Sequence, residues 1–416
     1  MSFHYSNREL HVEEVPIASI VTEFGTPCYI YSQAILHRQW SAFRQLLPHT
    51  EQICYAVKAN SNLAILARLA EWGAGFDIVS GGELARVMQA GGDAKKTVFS
   101  GVGKTSEEIK TALQANIGCF NVESESELQR IEAIAKNLHK SAAIALRINP
   151  NIDAKTHPYI TTGLTETKFG MSENDALQLY RRAANSKHIK IHGISCHLGS
   201  QLTTLDPFLQ ALDQLLNLAQ RLEKENITLK TINLGGGLGV SYQQEKVPTL
   251  QEYCQEILAV LKKRNSKLHL IIEPGRVITA QAGILATQVE YIKTNTEKNF
   301  AIVDSGMNDL IRPALYHAEQ NILPVLQRVE LPEKNYDVVG PICESSDFLG
   351  KNRQLAIQAG DYLAIMDSGA YGFSMSSNYN SRPRAAEILV DKDQIHLIRS
   401  RETLDQLWQN EKIISN

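Results

Sequence analysis

A closed (β/α)8 barrel of TIM type, followed by a second, all-β domain of Greek-key-like character, is the α/β architecture that this chain predicts. Three observations predict it. Between residues 52 and 275, eight short β-rich runs alternate with amphipathic helical segments, the pattern of parallel β/α units. Residues able to do chemistry recur at the C-terminal ends of those runs, where a barrel assembles its active site. Past residue 280 the long helical segments stop and strand-like runs follow one another directly.

The eight runs are 52–59, 75–80, 97–101, 119–123, 142–149, 191–198, 231–236 and 269–275. Apolar residues at helical spacing mark helices over 63–72, 83–90, 106–115, 125–137, 175–184, 207–225 and 250–264, and the segment 32–47 ahead of the first run supplies the eighth. Thr105 with Glu108, and Ser124 with Glu127, have capping-box spacing at two of the starts. Eight of each close a barrel over residues 32–280, with an open doubly wound sheet as the alternative. The stretch 149–170, which contains Asp153, His157, Thr161, Thr162 and Lys168, is too long for an ordinary barrel connection and reads as a lid. The β domain spans 281–416, with strands at 284–293, 300–304, 336–339, 354–357, 362–367, 385–390 and 394–398. Residues 1–31 lend it strands at 10–15 and 28–31.

With 416 residues, 43% hydrophobic and 21% charged, the chain can bury a full core and carries too little charge bias for disorder. A formal net charge of −3 without a basic stripe argues against nucleic acid or an anionic membrane surface, and points to a small-molecule substrate. Residues 1–17 mix charges throughout and form neither signal peptide nor anchor. The six cysteines are scattered without a CxxC pair, as reduced thiols of a cytoplasmic protein are, and no His/Cys/carboxylate spacing suggests a metal.

Lys58 ends the first apolar run in Cys54-Tyr55-Ala56-Val57-Lys58-Ala59-Asn60. An ammonium at a buried strand end must be paired, neutralised as an imine, or snorkel to water. Four companions stand at other strand ends: Asp77, His197, the glycine run Gly235-Gly236-Gly237, and Glu273 in Glu273-Pro274-Gly275-Arg276. Glycine backbone there turns N–H groups toward an anion or simply makes a tight turn. A carboxylate at a barrel mouth holds a protonated ring nitrogen, and Arg276 grips a carboxylate, although a plain turn with a surface ion pair has the same residues. His197 is either a stacking ring or a satisfied core histidine. Two nucleotide motifs fail: Gly101 to Thr105 lacks the first Walker A glycine, which is Val98, and the run from Gly235 to Gly239 lacks the last dinucleotide glycine, which is Val240. In the β domain, Arg312, Cys343, Glu344 and Tyr371 lie in polar segments inside apolar contexts.

Taken in order, YAVKAN, GFDIVSGGEL, HLGSQ, GGGLG, EPGR, CESSD and AYG resemble the fold-type III pyridoxal-phosphate decarboxylases over nearly the whole chain. Within that family, MNDLIRPALY and THPYITTGLTETKFG are similar to the branch that acts on diaminopimelate. The resemblance implies pyridoxal 5'-phosphate as cofactor, carried on Lys58 as an imine, with Asp77 beside it, Glu273 on the pyridinium and His197 stacked on the ring. Ser200, Gly236, Gly237, Gly275, Arg276 and Tyr371 would complete the cofactor site. Arg276, Arg312 and Tyr316 would bind the retained carboxylate, Tyr371 would also contact the substrate, Glu344 would meet the distal amine, and Cys343 would return the proton. The last two would reach in from a second subunit, making the active site a property of a homodimer. Ornithine and arginine decarboxylases read a distal cation and would carry an acid where this chain has Arg312. Alanine racemases put an arginine, in place of Glu273, on the ring nitrogen.

Overall fold

The computed structural model describes residues 3–153, 162–163, 167–243 and 245–414. His157 and Thr161 of the expected lid lie outside the described residues. The chain divides into two compact units, one of residues 40–241 and 246–277, the other of residues 1–39, 242–245 and 278–416.

In the first unit eight parallel strands close a barrel: Gln52–Ala56, Gly75–Ile78, Thr97–Phe99, Cys119–Val122, Ala142–Arg147, Ile189–Ser195, Thr231–Asn233 and His269–Ile272, the last pairing with the first. Closure removes every free edge, and Cys54, Val98 and Ile271 meet in a small buried apolar cluster. The helices follow the expected spacing, among them Leu63–Glu71, Gly81–Gln89, Ser106–Ala115 and Glu125–Asn137. The capping box at Thr105 and Glu108 forms in full. At Ser124 only half forms: the hydroxyl accepts from the Glu127 N–H, while the Glu127 carboxylate accepts from the N–H of Glu123 and from Lys104. A third box, Thr249 with Glu252, opens the helix Leu250–Lys263.

The first expected strand stops early. Val57–Ala59 is a 3-10 turn, so Lys58 sits just past the strand end, with the turn fastened by the Tyr55 hydroxyl donating to the Asn60 carbonyl at 3.0 Å. Ala56 still donates to the Pro274 carbonyl at 3.0 Å, so the turn leaves the sheet beside the end of the eighth strand.

The second unit holds a nine-stranded mixed sheet and a three-stranded one. Gly283–Thr294 runs antiparallel to Cys28–Ser32, which pairs in parallel with Ala386–Asp391. The early chain therefore supplies a central strand. The expected strand 10–15 is split: Glu13 has φ 54° and turns the chain between Glu9–Val12 and Val15–Pro16. Residues 348–353 are strand too, within Phe348–Leu355, hidden from the pattern by Gly350, Lys351 and Asn352. The unit also contains the helices Ile17–Phe24 and Arg312–Tyr316, the second in a segment with no helical stripe long enough to read. Its core joins Leu10, Ile17, Ile30, Ile284 and Ile388.

Candidate active site

Lys58 Nζ lies 2.6 Å from Asp77 Oδ2, with the aspartate fully buried and the lysine side chain 33% exposed. The register that pairs Ala56 with Asp77 sets this contact, because the turn after Ala56 lays Lys58 over the neighbouring strand end. Glu83, one turn into the next helix, accepts from the Val79 N–H at 2.6 Å; burial pushes its carboxyl up to about 7 against the opposing pull of Lys58. Gly275 lets the eighth strand approach: a Cβ there would lie 3.0 Å from both Ala56 Cβ and Ala59 Cβ.

Glu273 directly follows the eighth strand at the barrel mouth, and burial, then the charge of Asp77, push its carboxyl up to about 8. Its Oε1 accepts from Asn233 Nδ2 at 2.6 Å and from Asn121 Nδ2 at 3.3 Å. Two fixed amides thus aim a buried carboxyl, whose charge calls for a cationic or protonated partner.

His197 Nδ1 accepts from the Gly236 N–H at 3.2 Å. Burial, with Arg147 and Lys58 nearby, holds the imidazole well below its usual range, so the ring is neutral and carries its proton on Nε2. Gly236 has no room for a side chain, since a Cβ would lie 2.2 Å from the Glu273 carbonyl oxygen, and Gly237 has φ 108°. Ser200 Oγ accepts from Arg276 Nη2 at 2.9 Å. One mouth therefore gathers Lys58, Asp77, His197, Ser200, Gly236, Gly237, Glu273, Gly275 and Arg276.

The remaining candidates belong to the second unit. Arg312 is buried at the start of its short helix, its guanidinium 4.5 Å above the Tyr242 ring, and Tyr316 ends the same helix. Burial raises the Asp367 carboxyl to about 7 even though Arg312 pulls it down. Tyr371 takes a left-handed backbone, φ 56°. Cys343 is exposed, whereas the other five cysteines are buried, their thiols pushed up by desolvation. The Glu344 carboxylate accepts from the Tyr379 hydroxyl.

Sequence reasoning missed Asn121, Asn233 and the ion pair of Arg147 with Glu123, 2.7 Å apart, whose guanidinium also donates to the His197 carbonyl at 3.4 Å. The signal was present, because all four stand at or near barrel strand ends, the rule that singled out Lys58. Among the described residues no group of side chains could hold a metal ion, and no helix is long and apolar enough to cross a membrane.

A family model described as the pyridoxal-binding domain of pyridoxal-dependent decarboxylases matches residues 33–280. The chain is 54% identical over 415 residues to diaminopimelate decarboxylase of Haemophilus influenzae, covering 99% of both. It resembles the crystal structure of diaminopimelate decarboxylase from Helicobacter pylori complexed with L-lysine, at 44% identity and TM-score 0.91, over 95% of this chain and 99% of that one. The counterpart from M. jannaschii with L-lysine is 37% identical with TM-score 0.95, over 99% of this chain and 98% of that one.

Proposed function

The chain belongs to the pyridoxal-dependent decarboxylases, and within them to the diaminopimelate decarboxylases, and from that premise we propose how its own residues convert meso-2,6-diaminopimelate to L-lysine and carbon dioxide, the last step of lysine biosynthesis. The buried, amide-aimed carboxyl of Glu273 carries the cofactor reading: an acid pushed up to about 8 by burial is suited to share a proton with a pyridine nitrogen. Lys58 is the amine that would anchor pyridoxal phosphate, and Ser200, Gly236, Gly237, Gly275 and Arg276 fit its anionic and close-contact edges. Tyr371 would add a hydroxyl. When bound, the cofactor supplies an electron sink for the bond to the departing carboxylate.

The protein's part is orientation and proton traffic. Asp77 keeps the Lys58 amine at the mouth. His197, neutral and pinned through Nδ1 to the Gly236 N–H, presents a flat face without adding charge. Arg276, Arg312 and Tyr316 would hold the carboxylate that stays, and Glu344 the amine beside it. Cys343 would give its thiol proton to the carbon that loses carbon dioxide, so one C–C bond breaks and one C–H bond forms at the same atom.

We assign cofactor binding to the barrel domain, 32–280, and substrate reading to 281–416, with 1–31 contributing strands. Cys343 and Glu344 act in the site of a partner subunit, which makes a homodimer the working form, and the unpaired, mostly buried thiols suit the cytoplasm. Carbon dioxide release from meso-diaminopimelate, compared with L-ornithine, L-arginine and L-lysine, tests the substrate. Preference for ornithine or arginine would move the chain to the branch that reads a distal cation.

A further inference from the structure

Glu344 and Cys343 lie on an exposed loop, where a free carboxylate would sample many rotamers and discriminate poorly between substrates. Neither residue is loose. The Tyr379 hydroxyl donates to Glu344 Oε1 at 2.5 Å, and the Cys343 N–H donates to Asn380 Oδ1 at 3.0 Å. Two successive residues of one turn thus hold two successive residues of another, 35 and 37 positions apart.

The holding turn is itself fastened. Ser377 N–H donates to the Asn308 carbonyl at 2.8 Å, and Asn378 Nδ2 donates to Glu402 Oε2 at 2.7 Å. Across from it, Asp347 accepts from the N–H groups of Met307 at 2.6 Å and Ile342 at 2.8 Å, tying the Cys343 loop to the segment that leads to Arg312. Between these anchors, Asn380 and Ser381 both take left-handed backbone, φ 54° and 53°, which costs about 1 kcal/mol or more for each non-glycine residue. A strained turn that points a phenol at one carboxylate and an amide at the adjacent backbone is built to present them.

We propose that Tyr379 is a positioning residue for substrate selection: its phenol fixes Oε1 of Glu344, so that Oε2 faces the distal ammonium of the substrate. This rests on the reading of Glu344 as the group that meets that amine. Its hydrogen bond to Glu344, more than any other influence, holds the phenol above its usual range, so Tyr379 stays a donor at neutral pH. Tyr379 touches no reacting atom and acts only through the geometry of the carboxylate.

The probes are meso-diaminopimelate and 2-aminopimelate, which keeps the distal carboxylate and lacks the distal amine. For wild-type holoenzyme, Tyr379→Phe, Glu344→Gln and the double variant, the KM and kcat for diaminopimelate and the competitive inhibition constant of 2-aminopimelate are measured. Tyr379→Phe should raise KM for diaminopimelate by about tenfold, the scale of one hydrogen bond to a charged group, with kcat within about twofold and 2-aminopimelate binding unchanged. Added to Glu344→Gln, it should change nothing further, since the carboxylate it orients is gone. Equal weakening of both ligands, or an undiminished effect in the Glu344→Gln background, overturns the role of Tyr379. If Glu344→Gln itself leaves the discrimination between the two ligands intact, the reading of Glu344 fails and the proposal falls with it.

Discussion

At the scale of single residues, the site works by placing charge where water is scarce. Glu273 shows the consequence in the cofactor-free protein. Its carboxyl has an ordinary value of 4.5 and is raised to about 8 in the fold, by burial first. A raised acid binds its proton more tightly in the native state, so its stabilising contribution is complete below about 4.5, declines as pH rises and is gone above about 8. Thermal melts of the apoprotein between these limits should fall with pH, with Asp77, Lys58 and Arg147 setting the local field, and Glu273→Gln should flatten that slope. Equal slopes would show that the carboxyl titrates normally. Arg312, buried on the Tyr242 ring, would present a planar charge to the substrate under the proposed reading. Arg312→Ala should cost about 3–5 kcal/mol in kcat/KM for diaminopimelate, the scale of a buried charge pair that loses one member. Unchanged kinetics would remove the main reason for choosing this substrate over ornithine.

Between elements, buried ion pairs connect neighbouring barrel segments. Lys104, with no exposed side-chain surface, gives its three ammonium hydrogens to the carbonyls of Gly101 and Asn121 and to Glu127, 2.7 Å away. Glu127 returns its other oxygen to the Glu123 N–H, and Glu123 pairs with Arg147 and accepts from the Gly170 N–H at 2.7 Å. This chain of contacts runs from the third strand to the backbone of His197 and to the far end of the long connection after the fifth strand. Lys104→Met leaves Glu127 buried without its cation and should destabilise the protein by about 3–5 kcal/mol in denaturant unfolding. Adding Glu127→Leu should recover part of that loss. A single variant as stable as wild type would mean that water reaches the pair. Here the sequence was legible in one respect and silent in another: Ser124 and Glu127 mark the helix start correctly, yet only the fold shows that Glu127 turns from capping to a neighbouring lysine.

On the scale of the whole molecule, the proposed sharing of sites between two subunits predicts complementation. Lys58→Ala and Cys343→Ala should each be nearly inactive. Mixed under conditions that exchange subunits, half the dimers pair the two variants, and each such dimer has one doubly damaged site and one intact site. Activity should therefore return to about a quarter of wild type. If mass measurement confirms exchange and activity stays at the level of the separate variants, Cys343 acts within its own chain or is only a structural thiol.

The barrel, its eight strands and most of its helices were readable because they depend on periodicities of two and of 3.6 residues, which neighbouring side chains write locally. The same reading placed Lys58, Asp77, His197 and Glu273, because parallel barrels put polar residues at strand ends for a reason that holds strand by strand. What only the tertiary structure decided is partnership. Glu273 receives Asn121 from 152 residues away and Asn233 from 40, Glu344 receives Tyr379 from 35 residues away, and the early strand Cys28–Ser32 enters the middle of a sheet made largely by the last third of the chain. No local pattern encodes such pairings. They arise when the barrel and the sheet each close and bury polar atoms, which must then find whichever donor or acceptor the topology has brought within reach.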